Sequence, residues 1–415
     1  MFTLLEAILF VVYIITLYYT VFWLIAFVDY SPEQPSRPRR LPKVSVIVPA
    51  HNEELTLEKT CRSVFALDYP RELLELIIVN DGSTDRTLKI ASAIKRSSKS
   101  SVKVLSQENF GKWKAMNAGI AASSGEFVAC LDADSTIRKD ALDKMLPYFS
   151  GPEIAVVLPM LYVDSPKNLL QKVQWHEYVI NMFYRKVAGF LNCIHVAPGP
   201  FSLYRKSVLL EIGGFREGFK TEDLEICMRL QSRHYKIMQI TETEAYTEAP
   251  STLGELYKQR KRWNLGSTLN ILSYRGMLFN RTYGDFGVFQ LPIIFLATFL
   301  ASVLLVVTAY LSVLKPLSEK FTQLSLINFD IISYIANYHP HFNLLDINFF
   351  RSFVSISFLC ISISVLVMSH RAIKRKVVSY GLPAAVVFMF WYYLFLGYVR
   401  LVIIKDLLLG RKNKW

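Results

Sequence analysis

Hydrophobic positions follow two different rhythms along the chain. Residues 4–28 are apolar except for Glu6, and residues 286–314, 353–369 and 381–399 contain no charged side chain. A bilayer core of ~30 Å needs about 20 helical residues, so each stretch can span it, the third with help from Phe349 and Phe350 beyond Arg351. Between the first and second stretches the apolar runs are short. "VSVIVPA" (44–50), "LELIIVND" (74–81), "VKVLSQ" (102–107) and "EFVACLDADS" (126–135) read as strands, the first two and the last ending in polar or acidic turns. "LTLEKTCRSVFAL" has helical spacing through Leu57, Cys61, Val64 and Phe65, and "GKWKAMNAGIAAS" opens a further helix. Strands alternating with helices predict an α/β domain with a mostly parallel sheet covered on both faces, and ligands at the carboxyl ends of its strands. The expected organisation is a transmembrane helix in residues 1–30, the α/β domain with an interfacial C-terminal part in 31–285, and a membrane region with about three spans in 286–415.

Composition agrees. The chain has 415 residues, a net charge of +13 and a hydrophobic fraction of 52%, more apolar than an ordinary soluble domain. The basic tracts "RPRRLPK" (37–43) and "HRAIKRK" (370–376) flank the first span and separate the last two, whereas the loop after Leu314 is poor in Lys and Arg. This pattern places the globular domain in the cytoplasm of a multi-pass plasma-membrane protein. The C-terminal "GRKNKW" opposes it, because four spans return the C-terminus outside. The first segment lacks a basic start and is longer than a signal core, so it reads as an anchor. Much of the positive charge lies beside the spans, where it orients helices and meets anionic lipid, so nucleic acid is not an expected partner. The five cysteines (Cys61, Cys130, Cys193, Cys227, Cys360) are scattered, with no metal or redox spacing.

Four motifs carry candidate chemistry. In "CLDADS", Asp132 and Asp134 flank one alanine after an apolar strand. Two such carboxylates repel unless a hard cation, Mg²⁺ or Mn²⁺, sits between them with substrate phosphates. A surface turn holding two acids would read the same. In "VNDGSTD", Asp81 ends a strand and can accept hydrogen bonds from a planar donor such as a nucleobase, while Asp85 suits a helix cap. In "NFGKWKAMNAG", Lys112 follows a glycine at a helix start, a place that favours an anion, without the spacing of a P-loop. "KTEDLEICMRLQ" starts a helix after Thr221, and acids in its first turn are expected on dipole grounds alone.

The ordered set "VSVIVPAHNEE", "IIVNDGSTDRT", "GKWKAMNAG", "LDADS", "TED" and "QRKRW" resembles the membrane-embedded family-2 glycosyltransferases: cellulose, chitin, hyaluronan and poly-N-acetylglucosamine synthases. The resemblance covers about residues 44–266 plus the flanking spans, and it implies a domain of the GT-A type between transmembrane helices. It further implies that Pro49, Glu53 and Asp81 line the nucleotide site, with Asp81 facing uracil. Lys112 and Asp132 would contact the nucleotide, Asp134 would ligate the metal, and Asp223 would be the general base. Gln259 and Arg262 would hold the pyrophosphate, and Trp263 would offer a flat face to the acceptor sugar. Lys258, Arg260 and Lys261 are expected to face solvent or lipid headgroups. "HVAPGPFSLYR" (195–205) is closest to chitin-type members, with His195 structural, and "HPH" (339–341) reads as an external loop.

The resemblance implies an inverting, metal-dependent transferase that moves a sugar from a UDP-sugar to a growing β-linked polysaccharide, N-acetylglucosamine being suggested by the "PGPFSLYR" wording. A glycan or lipid acceptor, membrane lipids and an accessory membrane subunit are the further partners considered. Transfer of a single sugar to a lipid acceptor is the nearest alternative. A non-catalytic scaffold or export subunit that keeps the fold is an alternative of another class.

Overall fold

The computed structural model describes residues 4–29, 40–98, 100–336 and 349–410. The "HPH" tract, the first three residues of "RPRRLPK" and the last five residues therefore lie outside the described residues.

The chain opens with the 26-residue helix α1 (Leu4–Asp29). It then enters alternating elements: β1 (Val44–Ala50), α2 (Leu57–Phe65), β2 (Leu74–Asp81), α3 (Thr87–Ser97), β3 (Ser101–Gln107), α4 (Lys112–Ala122) and β4 (Phe127–Cys130). Every residue of β1, β2 and β4 is buried. Period-2 alternation explains how one strand serves two cores. In β1, Val44, Val46 and Val48 face one core with Leu57, Cys61 and Val64 of α2, while Ile47 faces the other with Met116 and Ile120 of α4. Gly119 permits this close approach, since a Cβ there would collide with the Ile47 side chain.

The second half comprises β5 (Ser135–Ile137), α5 (Ala141–Met145), β6 (Ile154–Val163), α6 (Leu169–Phe190), β7 (Ser202–Arg205), α7 (Lys206–Glu211), α8 (Glu222–Ser232) and β8 (Lys236–Thr247). The sheet order is β3-β2-β1-β4-β7-β6-β8-β5. Pairings β1–β2, β1–β4, β2–β3 and β6–β8 are parallel. Pairings β4–β7, β6–β7 and β5–β8 are antiparallel. The expected parallel order thus holds in the first half, and β7 reverses it at the centre of the sheet.

The remaining elements carry the apolar stretches. Helix α9 (Leu253–Ser273) starts at a capping box in which Thr252 accepts from the Glu255 amide and Glu255 accepts from Thr252 N–H, at 3.3 Å each. Beyond it come α10 (Leu291–Ala309), α11 (Lys315–Leu326), α12 (Ile331–Ala336), α13 (Phe349–Ala372), α14 (Leu382–Val387) and α15 (Tyr393–Leu408), with π-helical turns at Phe286–Gln290, Tyr310–Leu314 and Phe388–Tyr392. Among the described residues two helices are long and apolar enough to cross a membrane, Ser352–Ala372 and Leu382–Leu408, and Phe10–Trp23 and Phe286–Leu296 are shorter apolar helices.

These helices share cores with the α/β domain. Trp23 of α1 packs in the core that contains Ile194, Phe286 and Leu291. Val173 and Ile180 of α6 pack with Leu366 of α13, Ala384 and Ala385 of α14, and Tyr392. Arg375, in the tract between α13 and α14, reaches back to Glu244 at 2.7 Å and lies over the Tyr162 ring at 4.6 Å. Helix α6 is therefore a seam, with one face on the sheet and another on the apolar helices.

Candidate active site

The strand ends and the seam enclose a cavity of about 520 Å³ lined by Lys112, Asp132, Asp134, Glu222, Asp223, Gln259, Arg262 and Trp263. Motifs from across the sequence thus meet in one place. Three strand-end residues do not line it: Pro49, Glu53 and Asp81. Asp81 is buried, and its carboxylate already accepts from Gln107 Nε2 at 2.7 Å and from the amides of Phe110 and Gly111 at 3.1 and 3.0 Å. Glu53 accepts from the Thr56 hydroxyl and takes its own amide to Thr87 Oγ1.

Lys112 joins the two acidic motifs. As the first residue of α4 it follows Gly111, whose φ of +93° suits glycine. Its Nζ lies 2.6 Å from Asp132 Oδ1 and 3.2 Å from Glu222 Oε1. Burial alone would lower the lysine, but Asp132 and Glu222 outweigh it and hold it well above its ordinary range. Gly199 closes over the same carboxylate: a Cβ there would collide with Asp132.

The neighbouring acids diverge. Glu222 is buried, yet its partner Lys112 keeps it below the ordinary glutamate value. Asp223 is pushed up to about 6, first by burial and then by the negative Glu222 beside it. One Asp223 oxygen accepts from the Leu224 amide at 2.9 Å. Paired carboxylates with values driven apart are how a site separates a fixed charge from a proton acceptor. Asp134 is likewise pushed up to about 6, by burial and then by Asp132.

Helix α9 presents the third group. Asn270 Nδ2 donates to Thr221 Oγ1 at 2.9 Å and to Gly218 O at 2.8 Å, fastening α9 to the turn before Asp223. Phe219 and Lys220 in that turn adopt positive φ of 53° and 61°, a strained backbone for side-chain-bearing residues. Arg262 Nη1 donates to the Lys220 carbonyl at 2.8 Å, so one α9 side chain caps the strained turn.

The expectation that Arg260 and Lys261 face solvent or headgroups is corrected. Arg260 is 2% exposed. It donates to Glu177, to Gln259 Oε1 and, through Nε, to Tyr392 OH at 3.2 Å, and Tyr392 in turn donates to Glu177 at 2.6 Å. Lys261 pairs with Asp406 of α15 at 2.7 Å. Only Lys258 of the three is exposed. The reason is burial against a helix that follows much later in the chain: the partners of both cations lie in or beside α15 and on α6.

His195 lines the cavity and contacts Gln290 at 3.3 Å, and burial, aided by nearby Arg185, pushes it down to about 4, so it is neutral at pH 7. The sequence reading missed Glu177, Asn181 and Arg185 of α6, which also line the cavity. Their signal was legible: spaced four apart in an otherwise apolar and aromatic run, they form one polar stripe on a helix.

The residues present fit a divalent cation. Asp132 and Asp134 line the same cavity, and Asp134 is raised first by burial and then by the negative charge of Asp132. Two carboxylates with few further protein donors are the set that a hard cation shares with phosphate oxygens.

Comparisons with known proteins agree in class. Residues 45–213 match the family Glycosyl transferase family 2. The fold is that of a GT-A-like glycosyltransferase: the chain superposes on a mannosyltransferase from Pyrobaculum calidifontis in complex with GDP-Man and Mn²⁺ with a TM-score of 0.59, over 88% of this chain and 97% of that one, at 18% identity. Among particular relatives, the chain is 34% identical over 228 residues to a poly-beta-1,6-N-acetyl-D-glucosamine synthase of Staphylococcus aureus (strain COL), spanning 54% of each chain. It is 32% identical over 266 residues to the synthase of the same description from Staphylococcus epidermidis, spanning 60% of this chain and 63% of that one. The chain thus matches a little over half the length of these relatives.

Proposed function

We propose that the chain is an inverting N-acetylglucosaminyltransferase that moves the sugar of UDP-N-acetylglucosamine onto a growing β-linked glycan. The observation that carries this reading is the meeting of Asp223, the Lys112–Asp132 pair, Asp134, Arg262 and Trp263 around one cavity, in a chain similar to poly-N-acetylglucosamine synthases.

Asp223 removes the proton of the acceptor hydroxyl as its oxygen attacks the anomeric carbon. The new C–O bond forms on the face opposite the bond to UDP, which breaks, so an α-linked donor gives a β-linkage. Arg262 forks onto the pyrophosphate oxygens with Gln259 beside it, and Lys112 stabilises the same negative charge. Trp263 supplies an apolar face for the acceptor ring. Asp132 and Asp134 would hold Mg²⁺ or Mn²⁺, which when bound offsets charge on the leaving diphosphate. Pro49, Glu53 and Asp81 form the base and ribose end of the site. For Asp81 to face uracil, the 107–111 loop must exchange some of its hydrogen bonds for those of the base.

The domain of residues 31–285 lies on the cytoplasmic side between α1 and the apolar helices of 286–415, each of the four apolar stretches crossing the membrane. The Arg375–Glu244 contact supports that sidedness, because it joins the basic tract to the α/β domain.

The test is UDP release by the full chain in lipid, with UDP-N-acetylglucosamine, UDP-glucose, UDP-glucuronate and UDP-galactose, each with Mg²⁺ or Mn²⁺. Products are sized by mass spectrometry, with Asp223→Asn as control. Long N-acetylglucosamine chains are expected. A single sugar on lipid would replace polymer synthesis by single transfer, and UDP binding with no release from any donor would overturn the catalytic reading.

A further inference from the structure

The cavity does not end at the carboxylates. It continues to Tyr19 and Trp23 of α1, Ile294 of α10, and Leu396 and Arg400 of α15. Its wall also carries Arg185 from α6, and among the described residues this guanidinium has no anionic partner. Its one side-chain hydrogen bond among the described residues is a long contact from Nη1 to Met182 Sδ at 3.9 Å.

Six acids line the cavity, and of these Asp223 is the one whose charge reaches Arg185; Asp134 takes the Ser135 hydroxyl at 2.8 Å, and Glu248 stands on the same wall. Glu177, two turns earlier on α6, is taken by Arg260 and Tyr392. Glu222 and Asp132 are taken by Lys112. Asp223 acts on Arg185 only through space, and its own hydrogen bond is to the Leu224 amide. His195 beside it is neutral. Arg400 adds a second weakly held guanidinium to the cavity, with one contact to Asn264 Oδ1 at 3.4 Å. Burial without a counter-ion depresses Arg185 to about 10. An uncompensated guanidinium in a confined space is costly unless a ligand brings the charge that offsets it.

We infer that Arg185 is an anion site on the acceptor side, separate from the donor diphosphate site at Arg262, and that it takes a phosphate group borne by the acceptor. A planar fork matches two phosphate oxygens. The apolar side chains Trp23, Ile294 and Leu396 that line the same cavity belong to helices of the membrane region, so the phosphate is that of a lipid whose chains lie along them. This rests on the transferase reading and names its acceptor: the glycan whose hydroxyl attacks the donor is carried on a phosphate-bearing lipid.

The experiment uses the full chain in phosphatidylcholine nanodiscs, with UDP and Mg²⁺ saturating the donor site. Phosphatidic acid and, separately, inorganic phosphate are titrated against wild type, Arg185→Gln and Arg185→Lys, with binding read by native mass spectrometry and by the shift in unfolding temperature. Phosphatidic acid is expected to bind wild type, about tenfold or more weaker to Arg185→Gln, and at intermediate strength to Arg185→Lys, which keeps charge but loses the fork. Inorganic phosphate binding that depends on Arg185 as strongly as lipid binding would uphold the anion site with a free phosphate as its ligand. Binding indifferent to Arg185, or no binding of either probe, would overturn it. If Arg185→Gln does not fold, as judged by UDP binding, Arg185→Lys alone decides. The outcome is separable from that of the proposed function. Transfer of N-acetylglucosamine with Arg185-independent phosphate binding removes only this inference, and Arg185-dependent binding in a chain specific for another donor removes only the donor assignment.

Discussion

The Arg260 guanidinium lies over the Trp263 ring, 4.3 Å from its centre. The contact joins the proposed acceptor platform to a buried network whose other members, Glu177 and Tyr392, come from α6 and the turn before α15. Arg260→Met keeps much of the volume but leaves the largely enclosed Glu177 without its cation, with Tyr392 as its remaining partner. It is expected to destabilise the fold by about 3–5 kcal/mol, the usual result of removing one partner from a buried pair. Arg260→Lys keeps the charge and should lose less. Unfolding of the two variants in matched detergent checks the order, and equal stability of Arg260→Met and wild type would remove the network's structural importance.

Asp223→Asn is expected to lower transfer by about 10²–10⁴-fold, the range for loss of a general base, while UDP binding stays nearly unchanged. Asp134→Asn should weaken metal-dependent UDP binding as well. Calorimetric titration of UDP with and without Mg²⁺ separates the two. Equal loss of UDP affinity in both variants would overturn the assignment of roles.

Because Asp223 is raised to about 6, its base form is incomplete in mild acid. The rate of transfer at low acceptor concentration should therefore rise with pH through about 6 and level off above it, one proton being lost from the free enzyme. A profile flat from about pH 5 to 8 would place the essential base elsewhere.

Glu75 offers a test of the sheet rather than the site. It lies in β2, almost fully buried, with Lys103 at 2.7 Å, Ser45 Oγ at 2.7 Å and the Ser124 amide at 2.9 Å. Burial opposes its charge, but Lys103 and the hydrogen bonds win and lower it to about 2. A depressed acid stabilises the fold at neutral pH, and that share is lost as pH falls below about 4 toward 2. Glu75→Gln should lower stability by about 1–3 kcal/mol at pH 7. The deficit should shrink in acid, as measured by denaturant unfolding at both pH values.

Much of this was legible from the letters. The first half of the domain was, because each strand is a short apolar run buried on both faces, and local pattern reports burial well. The cavity residues from Lys112 to Trp263 were legible as an ordered set. Arg260 and Lys261 were not, because four cations in five residues look solvated. What buries Arg260 is Glu177, 83 residues before it, and Tyr392, 132 residues after it. The reversal at β7 was hidden for a related reason: Ser202–Arg205 is a four-residue strand whose direction is set by where α6 delivers the chain. The burial of the Asp81 carboxylate by the 107–111 loop has no local signature either, since its partners are backbone amides from another segment.

The shared wall of the cavity has a practical consequence. Tyr19, Trp23, Leu396 and Arg400 stand on the same enclosure as Asp223, so a soluble fragment cut at the domain boundaries would keep its donor half and lose the floor beneath its acceptor. On the proposed function such a fragment would still bind the nucleotide sugar but have nowhere to pass the product, and the apolar helices are as much part of the cavity as the sheet.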